Sequence, residues 1–214
     1  MTLNVCEIFY SLQGESTYTG LPCIFVRLSG CNLNCSYCDT LYAKSESFPM
    51  DLEDILAQIK SYECNLVEIT GGEPLLQTRT IDLISTLIQN NYTVLLETNG
   101  SISIKNIPDA CVKIMDIKCP SSKESQNNLK SNLKLLTDND EIKFVIGTKE
   151  DYNFAKLFIE QEKIKVNSKK IHFSPVLGVI KPETLAEWIL TDNLKVRMSL
   201  QTHKFIWDKD KRGV

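Results

Sequence analysis

The sequence has no apolar run long enough to cross a membrane, because runs such as 23–28 and 94–96 span only a few residues. Its first residues also lack the basic segment and the apolar stretch of a secretion signal. The net charge of −3 is spread along the chain without a basic stripe, which argues against binding to a phosphate backbone. These absences predict a soluble, cytoplasmic protein that has neither a membrane nor a nucleic acid as its partner.

The chain also shows no interdomain linker and no internal repeat. Its 214 residues, of which 43% are hydrophobic, suffice for one substantial core, so we expect a single domain over residues 1–214. Eight cysteines in a chain without an export signal argue against a disulfide framework. Five of them are scattered through apolar segments and are expected to be small buried hydrophobes: Cys6, Cys23, Cys64, Cys111 and Cys119.

Short β-branched runs alternate along the chain with longer stretches whose apolar residues recur at helical spacing. Such spacing predicts helices over 52–59 and 81–88, and Pro182 suits the first turn of a third helix that ends near Leu190. The polar segment 121–131 is predicted to be a loop. The predicted strands are Cys23–Leu28, Leu66–Thr70, Val94–Thr98, Val112–Ile117, Glu141–Ile146, Lys170–Ser174 and Val196–Leu200.

The arrangement of these elements indicates an α/β fold. Most of the strands are continuous apolar runs, as is typical of parallel strands, and a closed eightfold barrel needs about 250 residues. We therefore predict an incomplete, open TIM-type barrel of six β/α units, with its active site at the carboxyl ends of the strands. Polar or glycine-rich segments do follow the strands: the cysteine loop after Leu28, TGGEP after Ile69, ETNG after Leu96, DIKCP after Met115 and SPVLG after Phe173.

Three cysteines lie close together in GCNLNCSYCDT, residues 30–40, directly after the first predicted strand. Cys31, Cys35 and Cys38 have the spacing CxxxCxxC. Three thiolates on one loop can bind three irons of a 4Fe–4S cluster and leave the fourth iron open to a small molecule. A zinc site usually takes four protein ligands from paired CxxC hairpins, so a zinc-binding structural module is the weaker alternative.

This loop resembles that of the radical S-adenosylmethionine (SAM) enzymes, in which an aromatic residue, here Tyr37, precedes the third cysteine. TGGEP at residues 70–74 resembles the second motif of the same superfamily. The resemblance implies that the open iron chelates the methionine moiety of SAM, while the backbone of residues 71–73 helps to hold its amino group. It also implies that electron transfer cleaves SAM to a 5'-deoxyadenosyl radical.

Other segments resemble the 7-carboxy-7-deazaguanine synthase family from end to end: EIFYSLQGES at 7–16, DTLYA after the cysteines, DIKCPSS at 116–122 and QTHKFIW near the end. This family converts 6-carboxy-5,6,7,8-tetrahydropterin to 7-carboxy-7-deazaguanine and expels ammonia, on the route to queuosine and related 7-deazapurines. The resemblance implies a lyase that abstracts hydrogen from C6 of the pterin, regenerates SAM and uses Mg²⁺ bound with help from Thr40. It also implies an electron donor such as flavodoxin or ferredoxin.

Positions matched to the family imply a substrate site and a SAM site, with no side chain acting as an acid or a base. Glu15 would bind the aminopyrimidine edge of the pterin, and Arg27 would hold its carboxylate, because a guanidinium binds a carboxylate bidentately. The implied substrate-binding residues are Leu12, Gln13, Gly14, Glu15, Arg27, Thr70, His203 and Val214. The implied SAM-binding residues are Tyr37, Gly72, Glu73, Glu97, Asn99, Lys118, Cys119, Pro120, Ser121, Ser174, Pro175 and Val176.

One position departs from the family pattern, because many members have glycine after QGE, where this chain has Ser16. The substrate loop is therefore expected to differ in shape, although Gly20 is retained. The chain's small size leaves few elements to protect a radical from water and oxygen, which predicts a homodimer. The nearest alternative function is that of a glycyl-radical-enzyme activase, which would lack a pterin site and the QGES and QTHK segments.

Overall fold

Nine strands form one sheet in the computed structural model, which describes residues 2–164, 166–208 and 211–214. The strands are β1 (Thr2–Leu12), β2 (Pro22–Leu28), β3 (Phe48–Asp51), β4 (Leu66–Gly71), β5 (Thr93–Thr98), β6 (Val112–Ile117), β7 (Glu141–Ile146), β8 (Ile171–Pro175) and β9 (Arg197–Met198). Their order in the sheet is β3-β1-β2-β4-β5-β6-β7-β8-β9. β1 pairs antiparallel with β2 and β3, and all other pairs are parallel.

Five α-helices accompany the sheet: α1 (Leu52–Lys60), α2 (Thr80–Gln89), α3 (Lys149–Glu162), α4 (Pro182–Thr191) and α5 (His203–Ile206). The local sequence explains where they begin. Thr148 and Asp151 form a capping box at the start of α3, and Pro182 occupies the first turn of α4, where no N–H donor is needed. No helix in the described ranges is both long and apolar enough to span a membrane.

The prediction of an α/β fold with an open barrel is confirmed. Six long parallel strands, β2 and β4 to β8, follow one another in chain order, and β3 and β9 remain the two edges of the described sheet. The predicted helices over 52–59 and 81–88 and the one after Pro182 correspond to α1, α2 and α4.

Three details differ from the prediction. The antiparallel strands β1 and β3 were not expected, and the strand predicted over 196–200 is reduced to the two residues of β9. Repeated β/α units were also expected throughout, but residues 99–111 and 118–140, all of them described, connect their strands without an α-helix. Short 3₁₀ turns take the place of a helix between β6 and β7, three of them within or next to the predicted loop 121–131.

The two faces of the parallel strands have different compositions because alternate side chains point to opposite faces. The outer face packs on the helices through residues such as Ile69, Leu96 and Phe144, all fully buried. The inner face begins with a small apolar cluster at the amino ends of the strands, formed by Cys23, Phe25, Leu66, Leu95, Val112 and Ile114. Nearer the carboxyl ends, the inner face becomes polar, and a cleft opens there.

Candidate active site

The cysteine loop leaves the carboxyl end of β2 and packs directly against the two glycines that follow β4. The N–H of Gly72 donates to the carbonyl of Leu28 at 3.1 Å, and the N–H of Glu73 donates to the carbonyl of Gly30 at 2.8 Å. A Cβ atom at Gly72 would overlap the carbonyl oxygen of Gly30. The second glycine of TGGEP is therefore required by the close approach of two backbones.

Cys31, Cys35 and Cys38 are free thiols that line one side of a cleft of about 690 Å³. Among the residues that the structure describes, no three Cys, His, Asp or Glu side chains are placed to share one metal ion. A 4Fe–4S cluster does not need such convergence, because each thiolate binds a different iron. These three thiols consequently fit a cluster better than a zinc ion.

Most of the residues implied by the family resemblance line this same cleft. Of the implied substrate-binding residues, these are Leu12, Gln13, Gly14, Glu15, Arg27, Thr70, His203 and Val214, together with the implied Mg²⁺ ligand Thr40. Of the implied SAM-binding residues, they are Tyr37, Gly72, Glu97, Asn99, Lys118 and Val176. The fold thus brings together positions that lie as far apart in sequence as Leu12 and Val214.

The remaining implied residues lie outside the lining of the cleft and have structural contacts. The buried carboxylate of Glu73 accepts hydrogen bonds from the N–H groups of Leu75 and Asn99 and from the hydroxyl of Thr98. Cys119 belongs to the core between the sheet and the helices. Ser121 donates to Asp151, Ser174 donates to the carbonyl of Ser199, and their neighbours Pro120 and Pro175 also lie outside the lining.

Five consecutive parallel strands each contribute one ionisable side chain to the lining of the cleft, and we call this set the ionisable ring. Its members are Arg27 on β2, Glu68 on β4, Glu97 on β5, Asp116 on β6 and Lys143 on β7. Sequence reasoning missed Glu68, Asp116 and Lys143 as cleft residues. The signal was present, since an ionisable residue stands between two apolar ones in VRL, VEI, MDI and IKF.

Lys143 is the centre of the charge network in this ring. Its ammonium donates to Glu15 at 2.9 Å, donates to Glu97, and lies 3.8 Å from Asp116. Burial raises the pKa of Glu15, but the charge of Lys143 outweighs burial and lowers the pKa to about 2. Burial likewise opposes the charged form of Lys143, but Glu15 and Glu97 outweigh it and raise its pKa well above the ordinary value. Both groups are therefore ionised at neutral pH.

Glu68 is the contrasting member of the ring. Burial, followed by the charges of Glu97 and Glu15, raises the pKa of Glu68 well above its ordinary value. Its carboxyl group accepts a hydrogen bond from the side chain of Gln13, which fixes the start of the loop after β1. The cleft thus contains one carboxyl group whose pKa is raised close to another, Glu15, whose pKa is lowered.

Arg27 lies on the inner face of β2, and its Nε donates to Glu7 at 2.7 Å. The hydroxyl of Tyr42 donates to the same Glu7 oxygen at 2.8 Å. Since Glu7 is bound through Nε, the terminal nitrogens of Arg27 can bind a second carboxylate in the cleft.

The C-terminal segment, which comprises the described residues of 199–214, covers one side of the cleft. The N–H of Thr202 donates to the carbonyl of Gly14 at 2.9 Å, and Gln201 donates to Glu15 at 2.8 Å. The imidazole of His203 lies so close to Gly14 that a Cβ atom there would overlap it. Arg212 pairs with Glu46 at 2.9 Å and stacks on the ring of Tyr42 at 3.6 Å. The segment is therefore held at both of its ends.

Ser16 adopts a left-handed backbone conformation with φ of +63°. Its hydroxyl accepts a hydrogen bond from the N–H of Tyr18 at 3.1 Å. Glycine enters this region without steric cost, which explains a family preference for glycine here. The loop therefore has a conformation that suits glycine, although this chain has serine.

Comparisons with known proteins agree with this geometry. Residues 25–121 match the Radical SAM superfamily. The chain is 44% identical over 226 residues to the 7-carboxy-7-deazaguanine synthase of Koribacter versatilis (strain Ellin345), with 99% of this chain and 100% of that protein covered. The protein of the same name from Chlorobaculum tepidum is 44% identical over 215 residues, with 99% and 97% covered. The crystal structure of QueE from Escherichia coli has a TM-score of 0.75 and 25% identity, with 94% of both chains covered.

Proposed function

This chain belongs to the 7-carboxy-7-deazaguanine synthase family of radical SAM enzymes, and from that premise we propose how its cleft carries out the reaction. The reaction converts 6-carboxy-5,6,7,8-tetrahydropterin to 7-carboxy-7-deazaguanine with loss of ammonia, in queuosine biosynthesis. The family relationship, which extends over almost the whole chain, favours this function over a glycyl-radical-enzyme activase or a zinc module.

The proposal rests on the position of the three thiols relative to the residues implied for substrate binding. The three thiols of CxxxCxxC line the same cleft as Glu15, Arg27 and the end of the C-terminal segment. A cluster on the cysteine loop would therefore lie in the same enclosed space as a small substrate that carries a carboxylate and an aminopyrimidine edge.

Cys31, Cys35 and Cys38 would hold the 4Fe–4S cluster, and its open iron would take SAM. When bound, the cluster and SAM supply the radical chemistry that starts the reaction. Tyr37, Gly72, Glu97, Asn99, Lys118 and Val176 would form the lining around SAM. Glu73, Cys119, Pro120, Ser121, Ser174 and Pro175 would support that lining from behind, because their contacts are with the surrounding fold.

Arg27 and Glu15 would orient the pterin from two sides. Arg27 would bind the substrate carboxylate through its terminal nitrogens, while the ionised Glu15 would accept hydrogen bonds from the aminopyrimidine edge. Holding both ends of the bicyclic substrate fixes which hydrogen faces the radical source. Further contacts to the substrate would come from the backbone of Leu12, Gln13 and Gly14, and from Thr70, His203 and Val214.

Thr40 would contribute to a Mg²⁺ site beside the substrate carboxylate. Its hydroxyl lines the cleft and lies 2.9 Å from a carboxylate oxygen of Asp39. Hydroxyl and carboxylate oxygens are the hard ligands that Mg²⁺ prefers. Such an ion would neutralise part of the substrate's charge and would compete for Asp39 with Lys204, which pairs with it.

The overall reaction neither consumes nor releases electrons, but cleavage of SAM needs a reduced cluster. We propose flavodoxin or ferredoxin as the donor that reduces it, because both are small proteins of the cytoplasm, where this chain would work. We further propose that residues 1–214 act as one domain and that two chains form a homodimer. Sedimentation or light scattering of the cluster-loaded protein should give the mass of two chains, and a monomer would contradict the dimer.

The test of the function is an anaerobic assay of the reconstituted protein with SAM, a reductant, Mg²⁺ and 6-carboxytetrahydropterin. Mass spectrometry should detect 7-carboxy-7-deazaguanine. Formation of 5'-deoxyadenosine without this product would leave the radical chemistry in place but refute the substrate. Absence of both compounds, with a complete cluster present, would refute the assignment as a whole.

A further inference from the structure

Lys143 connects two groups of residues that come from different parts of the chain. Glu15 stands on the loop after β1 and is held from its other side by Gln201 of the C-terminal segment. Glu97 stands at the end of β5, and Asp116 near the end of β6. The side chain of Lys143 is only 8% exposed, and it lies among all three carboxylates.

The two groups have different tasks in the function proposed above. Glu15 faces the substrate, whereas Glu97 and Lys118 face SAM, and Lys118 is itself paired with Asp116 at 2.9 Å. Lys143 is therefore the contact through which the substrate side and the SAM side of the cleft meet. An ammonium group suits this position because its three N–H donors form a compact point charge, which can serve several carboxylates.

We propose that Lys143 is a positioning residue that fixes the distance between the substrate-binding Glu15 and the SAM-side Glu97. This inference rests on the proposed function, because it assigns the two carboxylates to two ligands. With the distance fixed, the hydrogen that is to be abstracted lies next to the radical source. With the distance free, SAM is still cleaved, but fewer cleavage events lead to product.

A second buried lysine provides a matched control. Lys113 on β6 lies 3.2 Å from Asp140, and the exposed fractions of the two side chains are 2% and 0%. Its ammonium also donates to the carbonyl of Cys111. Lys113 is absent from the lining of the cleft. Loss of the Lys113 charge would leave the buried carboxylate of Asp140 without its counter-ion, just as loss of the Lys143 charge would do for Glu15 and Glu97. Asp140, however, does not line the cleft that would hold SAM and the pterin.

The experiment compares Lys143→Met, Lys143→Arg and Lys113→Met as cluster-loaded proteins. For each, the ratio of 7-carboxy-7-deazaguanine to 5'-deoxyadenosine is measured anaerobically. We expect Lys143→Met to lower this ratio about tenfold or more and Lys113→Met to leave it unchanged. Lys113→Met should instead lower the midpoint of thermal unfolding, by about 6 to 20 °C.

Lys143→Met leaves buried carboxylates without a counter-ion, which can prevent folding. Lys143→Arg keeps the positive charge, so it tests the same role in a protein whose buried carboxylates remain paired. Its planar guanidinium cannot reproduce the contacts of a compact ammonium, so we expect the ratio to remain at least about threefold below the wild-type value. Equilibrium binding of the pterin in the absence of SAM gives a readout other than turnover. The dissociation constant should rise about tenfold in Lys143→Arg and remain unchanged in Lys113→Met.

The outcomes separate this inference from the proposed function. If the wild type makes product and Lys143→Arg matches it in both the ratio and the pterin affinity, Lys143 supplies only charge and its positioning role is refuted. If Lys113→Met lowers the ratio as much as Lys143→Met, the effect arises from general instability and the inference also fails. If the wild type makes no product, the function itself is refuted.

Discussion

The two faces of the parallel sheet differ more in chemistry than in burial. On β4, Val67 and Ile69 on the outer face are 0% exposed, and Glu68 between them on the inner face is 2% exposed. The outer face excludes water from apolar groups, which stabilises the fold, whereas the inner face places ionisable groups around a cleft. Burial alone therefore does not distinguish core from active site in this protein, but the strand face does.

The largest predicted effect is the loss of the cluster in Cys35→Ala, on the cleft side. Removal of one of three thiolates should abolish cluster assembly and turnover. Iron and sulfide content, together with the anaerobic absorption spectrum, measure the cluster directly. Cys111→Ala, on the helix side, is the matched control, because Cys111 is a buried thiol of the outer core whose pKa burial raises to about 12.

Cys111→Ala should retain a full cluster and lose only stability. If Cys111→Ala contained as little cluster as Cys35→Ala, the proposed difference in function between the cleft face and the helix face would be wrong. Cys64→Ala is a second control, since Cys64 packs on the edge of the inner apolar cluster. Loss of the cluster in that variant would overturn the assignment of its ligands.

Phe144→Ala should have the next largest effect, and it should act on stability alone. The ring of Phe144 is fully buried on the outer face and contacts Phe158 and Phe173 at centroid distances of 5.7 and 5.5 Å. Truncation of such a ring costs about 3 to 5 kcal/mol, which lowers the unfolding midpoint by about 6 to 20 °C. Below that midpoint, the Michaelis constant for the pterin should be unchanged, and a large increase would show that the outer face also shapes the cleft.

Arg27→Ala should have a smaller effect, and it should act on substrate binding rather than on stability. Loss of a charged contact to the substrate carboxylate should raise the Michaelis constant for the pterin about 10- to 100-fold. Cleavage of SAM without substrate should change little. Arg27→Lys should recover only part of the loss, because lysine cannot bind a carboxylate bidentately. Arg197→Ala, at an exposed position on β9, serves as the control, and unchanged pterin kinetics in Arg27→Ala would refute the role of Arg27.

Sequence reasoning predicted the outer face better than the inner face. Apolar runs such as Cys23–Leu28 located the strands because the outer residues are apolar and the inner ones are apolar at the strand start. β1 was missed because its partner is an antiparallel neighbour and its inner residues are mixed in polarity. The segments between β5 and β7 contain no helix and show no helical periodicity. The regular β/α repeat expected there was carried over from the units in which the periodicity is clear.

In the candidate site, too, the sequence predicted local motifs but not the contacts between residues that are distant along the chain. Local motifs identified the cysteine loop and the residues after each strand, because those signals depend on spacing along the chain. The contacts of Lys143 join positions 15, 97, 116 and 143, and such a network depends on how five strands align in register. Only the repeated apolar–charged–apolar triplet indicated it, and that triplet has no meaning until the strand face is known.

The smallest predicted effect concerns Ser16, which lies on the loop between β1 and β2, outside both faces of the parallel strands. A residue with a Cβ atom in the left-handed region costs about 1 to 2 kcal/mol relative to glycine, while the hydrogen bond from Tyr18 to Ser16 offsets about 1 kcal/mol. Ser16→Gly should therefore unfold within about 2 to 4 °C of the wild type.

Ser16→Ala separates the two contributions, because it loses the hydrogen bond while keeping the strained backbone. It should unfold about 2 to 8 °C below Ser16→Gly, and both variants should bind the pterin as the wild type does if the loop keeps its conformation. An alanine variant as stable as the glycine variant would mean that the left-handed conformation at this position is not required. The loop would then be free to differ in shape from that of its relatives, and the contacts of Gly14 and Glu15 with the C-terminal segment would have to hold it in place.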